Sequence, residues 1–255
     1  AAQCCGGGGR LSDACEAYHG LWPYLRLMGL GKTLGGHGRL FLEHITQALS
    51  DHAGRVGGLP ARVLVSGSAD YSMLAHVLHA AREAAVPVAV TVLDQCETPL
   101  RMSRWYAERA GFADLTLASA DVLAYRPDTS FDLIVTSSFF GYFGPAQRVT
   151  LFRSYARMLA PSGRLVFSNR LRPGPEEQTV GFTEAQAQAF ESRVLDLGAR
   201  LPQALALPEA DWRALARRYV QLFHAHPLNG PQTVVDLAGA SGLDVLGLHG
   251  LHNVA

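Results

Sequence analysis

Two carboxylates and a turn with a single glycine carry the first chemistry that can be read in this chain. The apolar run Val63-Leu64-Val65 ends in Ser66-Gly67-Ser68-Ala69-Asp70-Tyr71. A second apolar run, VAVTVLDQ at residues 88–95, closes on Asp94 and Gln95. Glycine lets a ligand come close to the backbone because it has no Cβ and adopts a left-handed conformation freely. A carboxylate at the end of the next strand can accept hydrogen bonds from ribose hydroxyls. Together they form the strand–loop–helix–strand skeleton of a nucleotide site, in a loop that is poor in glycine. Each residue also has a plainer reading. Asp94 can cap a helix that Thr98 and Pro99 open, Asp70 can cap the helix that follows it, and Gly67 can serve an ordinary turn.

Further candidates stand at the ends of later apolar runs. LASADVLAY presents Asp121 and Val122, and FDLIVTSS ends in Ser137 and Ser138. Ligands of doubly wound sheets sit outside the carboxyl ends of strands, where serine hydroxyls can bond a substrate amine. The aromatics Phe139, Phe140, Tyr142 and Phe143 follow at once. They can face a cation, an attraction worth about 0.5–2 kcal/mol, or simply pack the loop. Tyr106 and histidines such as His44, His224 and His226 are possible proton acceptors, each with packing as its alternative. The four cysteines, Cys4, Cys5, Cys15 and Cys96, fit no common zinc spacing, so free thiols and no metal are expected.

The elements that must hold these residues alternate regularly. Strands at 62–66, 88–94, 115–118, 131–136 and 164–168 are separated by helices at 71–85, 99–110 and 145–159. That rhythm predicts an α/β fold with a doubly wound, mostly parallel sheet. Helices are expected at 11–31 and 36–54, then at 183–199, 208–225 and 231–241, with a last strand at 243–249. The implied division is a flexible arm and N-terminal helical lid over 1–58, a core over 59–170, a helical insertion over 171–228, and a closing helix and strand over 229–255. The chain has 255 residues with 22 basic and 22 acidic side chains, and Lys32 is its one lysine. This balance argues against a nucleic-acid binder, which needs excess cationic charge. No apolar run reaches the roughly 20 residues that span a bilayer, and no signal peptide opens the chain. A cytoplasmic protein without a membrane partner is expected.

In this order the motifs resemble class I S-adenosylmethionine (SAM) dependent methyltransferases. RVLVSGSADYS stands for the family's glycine-rich loop, VTVLDQC for the ribose-binding acid, and LASADVLAY for the acid that reads the adenine amine. FDLIVTSSFFGYF stands for the substrate-facing strand and loop, and RMLAPSGRLVFSNR for the helix–turn–strand that follows. The resemblance implies a Rossmann-like fold and SAM as cofactor. It implies a binding set of Ser66, Gly67, Ser68, Ala69, Asp70, Asp94, Gln95, Asp121, Val122, Ser137 and Ser138. The chain departs from the family at Val65, where an acid is usual, and at Ala69 and Tyr71, which replace glycines. Asp70 can offer a carboxylate to the SAM ammonium there.

The expected activity is methyl transfer to a small molecule, in bacterial specialised metabolism. The altered loop leaves a second possibility, cyclisation of the aminobutyrate chain of SAM with release of methylthioadenosine. Asp70, Tyr106 and Ser137 are the catalytic candidates for that chemistry. A non-catalytic relative would show the same loss of glycine but has no need of Asp94 and Asp121. NAD-dependent redox chemistry lacks its glycine pattern here.

Overall fold

The computed structural model describes residues 12–30, 35–172 and 178–250. The arm expected at 1–10, with Cys4 and Cys5, lies outside the described residues. The chain forms two units, one within Ala1–Leu34 and Thr179–Ala225, the other within Gly35–Gln178 and His226–Ala255. Helix α1 (Ser12–Leu27) belongs to the first and helix α2 (Gly35–Val56) opens the second.

The second unit is the α/β core. It runs β1 (Ala61–Ser66), α3 (Ser72–Glu83), β2 (Val88–Asp94), α4 (Glu97–Ala110), β3 (Leu115–Ser119), β4 (Phe131–Ser137), α5 (Pro145–Met158) and β5 (Leu159–Ser168). All strand pairs are parallel, in the order β3-β2-β1-β4-β5. The central strand β1 is buried at every residue except Arg62, as expected for a strand covered on both faces. On one face Phe41, Ile45 and Leu49 of α2 pack with Leu74 and Val77 of α3. On the other, Leu64, Leu93 and Ile134 meet Leu151, Phe152 and Tyr155 of α5. Local signals start and stop the helices. Cys96 caps α4 through its sulfur, Gly111 ends it in a left-handed conformation, and Pro145 opens α5.

Within this unit the observed boundaries correct two expectations. Helix α2, assigned from sequence to an N-terminal lid, is part of the sheet unit. Its stripe Phe41, Ile45, Ala48 and Leu49 recurs at helical spacing and is buried in the core. The closing strand expected at 243–249 is not formed among the described residues. Helix α8 (Pro231–Gly239) is present, but the chain then turns at left-handed Gly242. Adjacent Val245 and Leu246 break the alternation a strand needs, and Leu246 is 75 % exposed.

The helical unit consists of α1, α6 (Glu184–Gly198) and α7 (Glu209–Leu222). Its limits, 179–225, are narrower than the expected 171–228. Thr183 and Gln186 form a reciprocal capping box at the start of α6. Trp212 is buried at the centre, with Tyr24 edge-on to it at 4.7 Å and Gly198 giving its indole room. Tyr18 lies stacked on Trp22 at 5.3 Å and against Tyr219 at 6.1 Å. Among the described residues no helix is long and apolar enough to cross a membrane.

Candidate active site

The strand order reverses between β1 and β4, and in open α/β sheets ligands bind at such a switch point. Register brings the key residues to one edge. Ser66 pairs with Leu93, so Asp94 stands one residue beyond, beside Gly67. Gly67 is left-handed, with φ of 67°, and its N–H donates to the Leu93 carbonyl at 3.0 Å. The Ser68 N–H donates to Asp94 Oδ2 at 2.9 Å and the Cys96 N–H to Asp94 Oδ1 at 2.7 Å. One half-buried carboxylate thus ties the first loop to the start of α4. A carboxylate can accept about four hydrogen bonds, so these two donors are compatible with ribose hydroxyls as well.

Asp121 stands at the end of β3, exposed, with Oδ1 accepting from the Leu123 N–H at 2.9 Å. The neighbouring Val122 is buried. The Ala120 N–H donates to the Asp94 carbonyl at 3.1 Å, which joins the two acidic loops. Gln95 is exposed between them. The nucleoside-facing candidates Gly67, Asp94, Gln95, Asp121 and Val122 are therefore gathered on one edge of the sheet.

The other half of the loop is turned inward. Asp70 is 2 % exposed, and its Oδ1 accepts from the Ser72 N–H at 2.7 Å, the helix-start role. The Ser68 hydroxyl donates to the Asp70 carbonyl. Tyr71 lies flat on Tyr106 with ring centres 5.0 Å apart, and Trp105 adds a tilted contact at 5.7 Å. Tyr106 is thus a stacking partner of Tyr71. Ser66 is fully buried and shares a hydrogen bond of 3.0 Å with the Tyr155 hydroxyl, so its side chain faces the helical layer. Burial pushes the Tyr155 phenol well above its ordinary value, against the opposing hydrogen bonds to Ser66 and Thr136.

At the end of β4, the Ser137 and Ser168 hydroxyls are 2.8 Å apart. Ser138 is left-handed, with φ of 55°, and its N–H donates to the Ser168 carbonyl at 2.8 Å. Phe140 packs into the core on Phe152 and Phe167. Phe139 instead lies against Gly67, with its edge on Phe143 at 5.0 Å. The ring that crowds Gly67 is therefore Phe139, from the loop after β4.

Sequence reasoning missed Arg148. It is fully buried on α5, donating from Nε to the Phe140 carbonyl at 3.2 Å and from Nη2 to the His226 carbonyl at 2.7 Å. The His226 N–H in turn donates to the Gly141 carbonyl at 2.8 Å, so the aromatic loop is braced from behind. The signal was present: Arg148 falls on the apolar stripe with Leu151, Phe152 and Tyr155.

Residues 75–163 match the family model described as a methyltransferase domain. The match takes in Asp94 and Asp121 and begins after the Gly67 loop. No curated protein matches the chain. Among solved structures, the N-methyltransferase NodS from Bradyrhizobium japonicum WM9, in complex with S-adenosyl-L-homocysteine, is 24 % identical with a TM-score of 0.39 over 49 % of this chain and 59 % of that one. The glycopeptide N-methyltransferase MtfA, complexed with SAM, is 22 % identical with a TM-score of 0.35 over 55 % and 56 %. The CcbJ methyltransferase from Streptomyces caelestis is 16 % identical with a TM-score of 0.36 over 48 % and 47 %. The chain thus spans about three-fifths of the length of NodS. At such scores these likenesses add nothing to the parallel sheet already described. Over residues 75–163 the chain matches the methyltransferase-domain family, a stretch that holds VTVLDQC, LASADVLAY and FDLIVTSSFFGYF in full.

Proposed function

We propose that this chain is a SAM-dependent methyltransferase acting on a small molecule in the cytoplasm, within bacterial specialised metabolism. The observation that carries the reading is the Asp94 carboxylate beside left-handed Gly67 at the switch point of the sheet. The donor set fits the nucleoside half of SAM: Asp94 for the ribose diol, Asp121 for the adenine amine, and buried Val122 for the apolar ring face. When bound, SAM supplies a methyl group already activated by its sulfonium.

The chain's own residues then have three tasks. Asp94 and Asp121 orient the nucleoside, and the loop at Phe139–Phe143 excludes water. Ser137, at the end of β4, bonds the amino-acid end or the acceptor. The balanced charge supports a small acceptor, since a nucleic-acid substrate calls for a basic face. Cyclisation of SAM would use Asp70, Tyr106 and Ser137. Asp70 is engaged in starting α3 and Tyr106 in stacking on Tyr71, which favours methyl transfer.

The test is incubation of the purified chain with SAM, alone and with panels of amines, phenols and carboxylic acids, followed by mass spectrometry. S-adenosyl-L-homocysteine formed only with an acceptor is the expected result. Methylthioadenosine from SAM alone would overturn methyl transfer in favour of cyclisation. No heat of SAM binding in calorimetry would sink both.

A further inference from the structure

The clearance at Gly67 is already taken. A Cβ built on this residue would lie 2.7 Å from Phe139 Cγ and closer still to Cδ2 and Cε2, nearer than side chains approach one another. The aromatic ring therefore rests directly on the glycine. A ligand that approaches the Gly67 backbone and the Phe139 ring compete for one space. The residue before the ring is also unusual. Ser138 is left-handed without being glycine, a sparsely populated conformation held by its N–H bond to the Ser168 carbonyl. The Ser137–Ser168 hydroxyl bond and the edge contact of Phe139 with Phe143 hold the same arrangement.

We propose that Phe139 is a displaceable plug over Gly67, seated by the strained Ser138 and pushed aside when the cofactor binds. The proposal rests on the SAM reading given above. With the ring seated, Gly67 meets Phe139. With the ring withdrawn, Ser138 can return to an ordinary conformation, and the contacts with Gly67 and Phe143 are given up. Ligand binding selects the withdrawn state because it alone leaves Gly67 accessible. The apparent affinity for SAM is then reduced by the fraction of molecules whose ring is withdrawn. This also gives the single surviving loop glycine a double role: it must admit either the ring or the ligand.

Two variants act in opposite directions. Phe139→Ala removes the plug. Ser138→Gly makes the left-handed conformation unstrained and so favours the seated ring. Association of SAM with the immobilised full chain, followed by surface plasmon resonance, reads both. Phe139→Ala is expected to raise the association rate constant about tenfold and to lower the apparent Kd by a similar factor. Ser138→Gly is expected to slow association about threefold. Loop damage would weaken binding in both variants, and that result overturns the plug. Unchanged rates in both, with SAM still bound, overturn the plug alone. No SAM binding by wild type or either variant overturns the plug together with the SAM reading.

Discussion

Removing the Asp94 carboxylate separates its two roles, pinning the loop and holding ribose. In Asp94→Ala the amides of Ser68 and Cys96 lose charge-assisted acceptors at 2.9 and 2.7 Å. Such bonds contribute about 1.5–3 kcal/mol each, and a buried donor left without a partner costs about 1–3 kcal/mol. Ser68 is buried, so its amide bears that cost, whereas Cys96 is half-exposed and water can replace the carboxylate. The expected loss of stability is therefore about 2–4 kcal/mol. With a urea slope of roughly 2–3 kcal/mol/M for a chain of this size, the midpoint should fall by about 1 M. Asp94→Asn keeps the shape and one acceptor oxygen but turns an NH2 toward the other amide, so about half that loss is expected. Each variant should also bind SAM more weakly by about 1–3 kcal/mol, or roughly fivefold to 150-fold, in calorimetric titration. Asp94→Asn with lowered stability and wild-type SAM affinity would show that the carboxylate only pins the loop. An unchanged urea midpoint in Asp94→Ala would refute the geometry itself.

Two other perturbations probe the scaffold. Burial alone would raise the Asp132 carboxyl. The hydrogen bonds from the Arg62 amide and guanidinium, with the charges of Arg62 and His52, outweigh it and hold the group below its ordinary 3.8. Because the folded state depresses this pKa, the stabilisation is present above the unfolded value and is lost as pH falls through the folded one. Urea midpoints measured from about pH 6 down to about pH 2 should show wild type losing its advantage over Asp132→Asn at the acid end; a constant gap would refute the linkage. Tyr155→Phe leaves the buried Ser66 hydroxyl without its 3.0 Å partner, for a loss of about 1–2 kcal/mol and a fall in Tm of roughly 2–8 °C by calorimetry. Adding Ser66→Ala should recover part of that loss, and strictly additive effects would show that the two hydroxyls are not coupled.

The alternation of apolar runs with helical stripes made the five-stranded core legible, because a parallel sheet covered on both faces demands it. Asp94 and Asp121 were legible for the same reason, since strand ends fix where their side chains emerge. Asp70 suits either a ligand or a helix start by its spacing, and the fold shows its Oδ1 accepting from the Ser72 N–H at 2.7 Å. Ser66 belongs to the binding set that the resemblance implies. The pleat sends its side chain to the opposite layer, where only the fold shows that Tyr155 waits for it. The contact of Phe139 with Gly67 spans more than seventy residues and leaves no local pattern in either segment. The lid assignment of α2 failed because an amphipathic stripe shows that a helix packs without showing on what.

The helical unit has a consequence for how the chain acquires its shape. Its first helix, α1, and its other two, α6 and α7, are separated in sequence by the whole α/β core, and they share one aromatic centre around Trp212 and Tyr219. Closing a loop of that length carries an entropic cost that grows only with the logarithm of its length, but the cost falls before any contact repays it. Leu21 and Leu25 of α1 share this centre with Val194 of α6 and Trp212 of α7, which follow more than 160 residues later in the chain. The helical unit is thus a nonlocal assembly, held by contacts that reach across the whole length of the core sequence.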